Sequence, residues 1–412
     1  MTTGWYQGAD RQARVQDAIA RHGYDALLAV TPENAHYLAG HGNYIATHWR
    51  IPGLFSVAVG RDDRRAVVSG DFGADPQVVL PYIYAPYTSW TESVDIRQSS
   101  AATVAARIAA ARPGRVKRPA QFDLDEVWDR VADAVRNVAA IPTSIGVDLW
   151  ELGNFAADQL MACLPGIQLV AAAEVFDDLR AIKDPDEIEH LRIACELTEL
   201  GIEGAVEQLQ IGMPEVAVNS AYQVAVHEQV IAHQRFSAFR QAEGVATIGI
   251  GAGQPHTVEP GQTIKFDMQV DIAGYHSDVG RTFAFQPTPE QNDVFDALAA
   301  ALGKAEAAIR AGISFAEIYA IGSGAMHEQG FTTYSRGHLG HSVGLTQHFE
   351  EPPFIAPDEH RLTAPSMVLS LELPYYVYGV GAFQLERMIE VTEQGSHPVD
   401  QMPFELATAV IP

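Results

Sequence analysis

Cysteine is nearly absent: Cys163 and Cys195 are the two in 412 residues. Each falls in a helix-like pattern, so both read as small core residues, and neither a disulfide framework nor a cysteine metal site is expected. Cationic side chains are scarce as well, 27 Lys and Arg against 52 Asp and Glu, giving a formal charge of −25. A surface so acidic repels phosphate backbones, which excludes nucleic acid as the expected partner. No run of roughly 18 apolar residues occurs, so no helical membrane span is expected. The opening stretch MTTGWYQGADRQARV lacks a basic region followed by an apolar one, and the expected location is the cytoplasm. Repeats and low-complexity segments are missing too. What is present is 47% hydrophobic and 19% charged over a length that calls for two domains, as in a soluble enzyme.

Through about residue 175 the pattern alternates. Helical spacing over Asp10 to Arg21 stops at Gly23, and the apolar strand Ala26 to Val30 follows. A helix from Pro32 to Leu38 has Thr31 as its expected cap and Pro32 at the first helical position. A hairpin then runs through GRDDRR, and helices at 101–111, 125–139 and 154–163 interleave with strands at 144–149 and 168–172. This predicts an α/β domain over 1–175. His41, His48, Trp49, Trp90 and Glu92 lie in its loop-like stretches.

From 176 to 412 the order changes to α+β. Asp184 as cap, Pro185 and Glu187 form a capping-box pattern that opens a long helix. Further capping boxes are expected at Thr288/Gln291 and Ser314/Glu317. Apolar strands are expected at 245–251, 264–270, 281–285, 368–371 and 386–391.

The chemistry concentrates in IKFDMQVDIAGYHSDVGRTFAF, which reads as two strands turning at Ala273-Gly274. Such a hairpin can bring Asp267 and Asp278 into one space, where two buried carboxylates repel unless a cation lies between them. The plainer alternative is that Asp267 caps a turn and Asp278 pairs with Arg281. Downstream, RGHLGHSVGLTQHFEE holds His338, His341 and His348 among glycines, and two apolar runs carry Glu372 and Glu386. Four carboxylates and an imidazole form a mostly oxygen shell suited to hard divalent ions, with enough ligands for two if some carboxylates bridge.

Asp267, Asp278, His341, Glu372 and Glu386, in this order and in the contexts SDVGRTF, GHSVGL, SLELPYY and IEVTEQG, resemble the ligand set of the pita-bread metallopeptidases. That group includes methionine aminopeptidase, aminopeptidase P and prolidase, with creatinase-like relatives. The likeness runs from about Ala181 to the C-terminus. It implies a pita-bread catalytic domain over 176–412 behind a creatinase-like α/β domain, and two divalent ions, manganese first, with cobalt, zinc or iron also admitted. It implies that Asp278 and Glu386 bridge the ions, that Asp267 binds one, and that His341 and Glu372 bind the other. Glu372, His256 in GQPHTVEPG and His348 are implied as catalytic, and His338 and Arg281 as outer-shell groups. A homodimer, in which one N-terminal domain closes over the partner's site, is implied as well.

The implied activity is hydrolysis of Xaa-Pro peptide bonds by a water ionised between the ions. The alternative is a creatinase-like C–N hydrolase or lyase acting on a small non-peptide substrate. Gln384 stands where the family usually has Arg, Arg387 where an acid is common, and Phe349 where a Glu usually follows the histidine. These departures lie on the substrate side and leave the five ligand positions intact.

Overall fold

The computed structural model describes residues 5–72, 82–112, 117–149, 152–250, 256–346 and 350–408. The chain forms two compact units, Tyr6–Leu179 and, together with Trp5, the stretch from Arg180 onward.

In the first unit α1 (Arg11–His22), β1 (Ala26–Ala29), α2 (Pro32–Ala39), α3 (Tyr44–Trp49), β2 (Ser56–Gly60), β3 (Arg65–Gly70), β4 (Ile83–Tyr87), α4 (Val104–Ala111), α5 (Leu124–Val138), β5 (Ser144–Val147), α6 (Asn154–Cys163) and β6 (Gln168–Ala171) follow one another. The strands form one sheet in the order β4-β3-β2-β1-β5-β6, with β1 antiparallel to β2 and parallel to β5. β1 reads ALLA and is buried throughout, as a central strand covered on both faces must be. Thr31 stands at the N-cap of α2 as expected, but its side chain makes no capping bond. Its hydroxyl donates to Asp148 Oδ2 at 2.5 Å, joining Val30 N, Thr31 N and Asn34 Nδ2 on that carboxylate. Burial pushes Asp148 up to about 6, against the pull of those donors. His48 and Trp49, expected in a loop, lie in α3; Trp49 stacks on Trp90 at 5.6 Å with Phe122 edge-on to both, and Glu92 faces Arg112 and Arg118, so these residues pack locally. Cys163, expected in the core, is half-exposed.

α7 (Ala173–Ala181), a helix the sequence pattern does not reveal, runs across the division. The second unit comprises α8 (Pro185–Glu207), α9 (Glu215–Ala232), β7 (Phe239–Ile248), β8 (Thr263–Ile272), β9 (Tyr275–His276), β10 (Val279–Ala284), α10 (Pro289–Ala308), α11 (Phe315–Glu328), β11 (Gly340–Ser342), β12 (Glu351–Phe354), β13 (Val368–Glu372), β14 (Tyr375–Val377), β15 (Gly381–Phe383), β16 (Glu386–Val391) and β17 (Ser396–Pro398). Nine strands form an antiparallel sheet along β12-β11-β13-β16-β10-β8-β7, with β17 on β16 and β9 on β8. α8 and α9 lie against β8 and β7. Leu298 and Leu302 of α10 and Phe315 and Ile318 of α11 share a buried core with Leu369, Leu371 and Ile389 of the sheet. Each such side chain is worth about 1.5–3 kcal/mol of burial.

The helix starts follow their capping chemistry. Asp184 N donates to Glu187 Oε2, Thr288 N to Gln291 Oε1, and Ser314 N to Glu317 Oε2. The β8–β9 turn has φ 56° at Ala273 and 98° at Gly274, the positive pair a two-residue hairpin turn demands. Asp271 takes the capping role there, accepting from Gly274 N. No helix among the described residues is long and apolar enough to cross a membrane.

Candidate metal centre

Sheet register alone assembles the site. Asp267 on β8 lies opposite Gly280 on β10, Gly280 opposite Glu386 on β16, and Glu386 opposite Glu372 on β13. Residues opposed across a ladder share a face, so three carboxylates and a glycine form one row. His341 on β11 pairs with Ser370, which stands two residues before Glu372 and so on the same face. Asp278, just before β10, meets the group from the side: His341 Nε2 lies 3.4 Å from its Oδ2.

The glycine in the row is required by space. A Cβ at position 280 would lie 2.3 Å from Gln384 Cγ and 2.9 Å from Glu386 Oε2. A side chain there would fill the hollow the acids surround.

Ligand atoms of Asp278, His341 and Glu386 lie within 4.8 Å of one another, and so do those of His338, Glu350 and Glu372. Asp267 belongs to neither cluster among the described residues; its Oδ2 accepts from Lys265 Nζ at 3.1 Å. An open cleft of about 690 Å³ reaches the centre, lined by Asp267, His276, Asp278, His341, Glu350 and Phe354 among others. Asp278 keeps 29% of its side chain exposed, toward this cleft.

The electrostatics call for a cation. Burial, then repulsion from Asp267 and Glu372, holds Asp278 well above the ordinary carboxylate range. Burial and the neighbouring Asp278 and Glu372 do the same to Glu386. His341 Nδ1 faces Ser342 O at 2.9 Å, and a carbonyl can only accept, so the ring proton is assigned to Nδ1. The Nε2 lone pair then confronts the Asp278 carboxylate, an arrangement that a divalent ion between them relieves. The donor set therefore fits a hard divalent ion.

Outer contacts hold the carboxylates in place. Gln384 Nε2 donates to Glu372 Oε2 at 3.1 Å and to Glu386 Oε2 at 2.9 Å, and Ser370 Oγ donates to Glu386 Oε1 at 2.7 Å. Arg336 reaches Glu372 Oε1 at 3.0 Å. His338 bridges Glu350 at 3.1 Å and Glu372 at 3.5 Å, and its hydrogen bond with Glu350 raises it above the usual histidine value.

Arg281 behaves otherwise than expected and touches no carboxylate of the row. It donates to the backbone carbonyl of Glu386 and pairs with Asp400, because its side chain lies in the buried layer with Met402 and Phe404. His256 is half-buried, its carbonyl accepting from Glu215 N, and is not among the residues lining the cleft. His348 lies outside the described residues. Gln384 stands out in the sequence only as a substrate-side departure, and Ser370, Gly280 and Lys265 escape sequence reasoning as site residues. Two of them carry a signal: Lys265 precedes Asp267 by two in an alternating strand, and a glycine inside a strand marks a close approach.

An antiparallel sheet backed by helices, with carboxylates and an imidazole gathered on one face, defines a metal-dependent hydrolase of the pita-bread fold. The chain belongs to metallopeptidase family M24, which matches residues 189–393, and is by that class a metal-dependent peptidase. YkvY of Bacillus subtilis is 26% identical over 409 residues, 96% of this chain and 99% of that one. An Xaa-Pro dipeptidase of Pyrococcus horikoshii is 25% identical over 234 residues, 57% of this chain and 66% of that one. Among solved structures, an Xaa-Pro dipeptidase from Bacillus anthracis superimposes with a TM-score of 0.75 at 18% identity, over 96% of this chain and 98% of that one, a likeness of fold.

Proposed function

We propose that the protein is a dinuclear metal-dependent hydrolase of Xaa-Pro peptide bonds. The two ions would be held by Asp267, Asp278, His341, Glu372 and Glu386, with Asp278 and Glu386 serving both, Asp267 serving one, and His341 and Glu372 serving the other. The oxygen-rich shell suits manganese first, with cobalt, zinc or iron able to replace it. When bound, the ions supply a Lewis acid for the scissile carbonyl and a water that ionises near neutral pH. The observation that carries this proposal is the register row Asp267–Gly280–Glu386–Glu372, with Asp278 and His341 facing it.

The chain's own residues do the rest. Gln384 and Ser370 fix which oxygens of Glu372 and Glu386 face the centre, as outer hydrogen bonds do for metal-ligating carboxylates. Glu372 takes the proton released by the attacking water, with His338 3.5 Å from its Oε1 as the next group outward. His256 and His348 are assigned to the substrate side, His348 as donor to the developing oxyanion. A cytoplasmic homodimer belongs to the same proposal.

A second proposal rests on Gln384. Gln stands where the family usually has Arg, and its amide nitrogen donates to Glu372 and Glu386, so the substrate side carries no guanidinium at this position. That favours a creatinase-like reaction on a small non-peptide substrate. Manganese- or cobalt-loaded protein, assayed on Xaa-Pro and Xaa-Ala di- and tripeptides, decides between them. Selective cleavage before proline supports the peptidase, and an uncut panel supports the small-molecule enzyme.

A further inference from the structure

Lys265 stands two residues before Asp267 on β8, so both side chains leave the same face of the strand. Lys265 is buried, with 6% of its surface exposed, although a lysine free to do so would extend its ammonium into water. Its Nζ donates to Asp267 Oδ2 at 3.1 Å and to the Tyr376 hydroxyl at 3.5 Å, with the Tyr376 ring centroid 5.7 Å away. Asp267 thus already holds a buried ammonium, as Glu372 holds the more exposed Arg336, and it stands apart from the cluster of Asp278, His341 and Glu386.

We propose that Lys265 is a resident counter-cation that sets the affinity of the Asp267 side of the centre for its ion. The inference rests on the two-ion proposal above. An ion arriving at Asp267 meets an ammonium already bonded to the same carboxylate, and the two positive charges repel at short range. The ammonium must give up Asp267, and Tyr376 on β14 is the partner it keeps. Asp278, His341 and Glu386 pair with no Lys or Arg among the described residues, and Arg336 beside Glu372 has more room to swing into water than Lys265, with 22% against 8% of the side chain exposed, so the centre fills in two unequal steps and Lys265 controls the second.

Calorimetric titration of manganese into the metal-stripped full-length protein, with the bound metal counted by elemental analysis, tests this without reference to turnover. Wild type is expected to show one strong and one weak step. Lys265→Met, which keeps the buried stem and removes the charge, is expected to tighten the weak step by roughly ten-fold or more, the scale on which one nearby charge shifts a site. Lys265→Gln gives the same comparison should the methionine variant fold poorly, and Lys265→Arg is expected to behave as wild type. An unchanged second step in both neutral variants, or two equal steps in wild type, overturns the role of Lys265 and leaves the two-ion proposal standing. Failure of wild type to bind any manganese overturns the two-ion proposal, and this inference with it.

Discussion

Side chain by side chain, the site is a problem of like charges held close, and its exceptions explain it. Gly280 is the position in the row where a side chain is forbidden. Gly280→Ala is expected to destabilise the fold by about 1–3 kcal/mol through overpacking and to weaken manganese binding, seen in urea unfolding and in calorimetry. Asp278 and Glu386 make a pH prediction whose sign follows from their raised values. In metal-free protein they hold protons after the unfolded chain has released them. Their contribution is thus fully present below the ordinary carboxylate values of 3.8 and 4.5 and is lost as pH rises through the folded values. The Tm difference between wild type and Glu386→Gln, both stripped of metal, should therefore turn against wild type as pH rises, and added manganese should abolish the trend. The five proposed ligands stand out in the sequence because each sits in a distinctive local context. Ser370 does not, and Gln384 does so only as a departure from the family pattern, because both act by reaching across strands and only the register shows which carboxylates they meet.

At the scale of elements, strong local chemistry was legible and weak chemistry was not. The capping boxes at Glu187, Gln291 and Glu317 form as their spacing requires, and β16 begins at Glu386 as expected. β11, β12, β14 and β15 are short and rich in glycine, proline or tyrosine, with too few residues for alternation to show. β7 begins at Phe239, ahead of the expected 245, because its first half is a polar edge strand without an apolar face. Thr31 holds the N-cap position of α2 without capping through its side chain, because a buried carboxylate takes its hydroxyl. The placement of Arg281 predicts its function as a clamp: it joins the β16 backbone to Asp400 on the C-terminal segment, with 1% and 0% of the two side chains exposed. Arg281→Met leaves Asp400 buried beside Arg387 alone and should cost about 3–5 kcal/mol, measured by urea unfolding.

In the molecule as a whole, residues from Asp267 to Glu386 converge because β16 lies between β13 and β10, an order that no hydrophobic pattern along the chain contains. The α+β class was readable from the run of elements, but the pita-bread arrangement came from resemblance to a family. An ion bound only by the folded chain should raise its stability by about 2.7 kcal/mol at a concentration of one hundred times Kd, visible as a rise in Tm. The central claim is that the facing acids and His341 form a cation site. Crystals grown with manganese and measured at its absorption edge address it directly. Anomalous peaks are predicted between Asp278, His341 and Glu386, with a second beside Asp267 at higher manganese. An empty row, or manganese bound only elsewhere on the acidic surface, would contradict it.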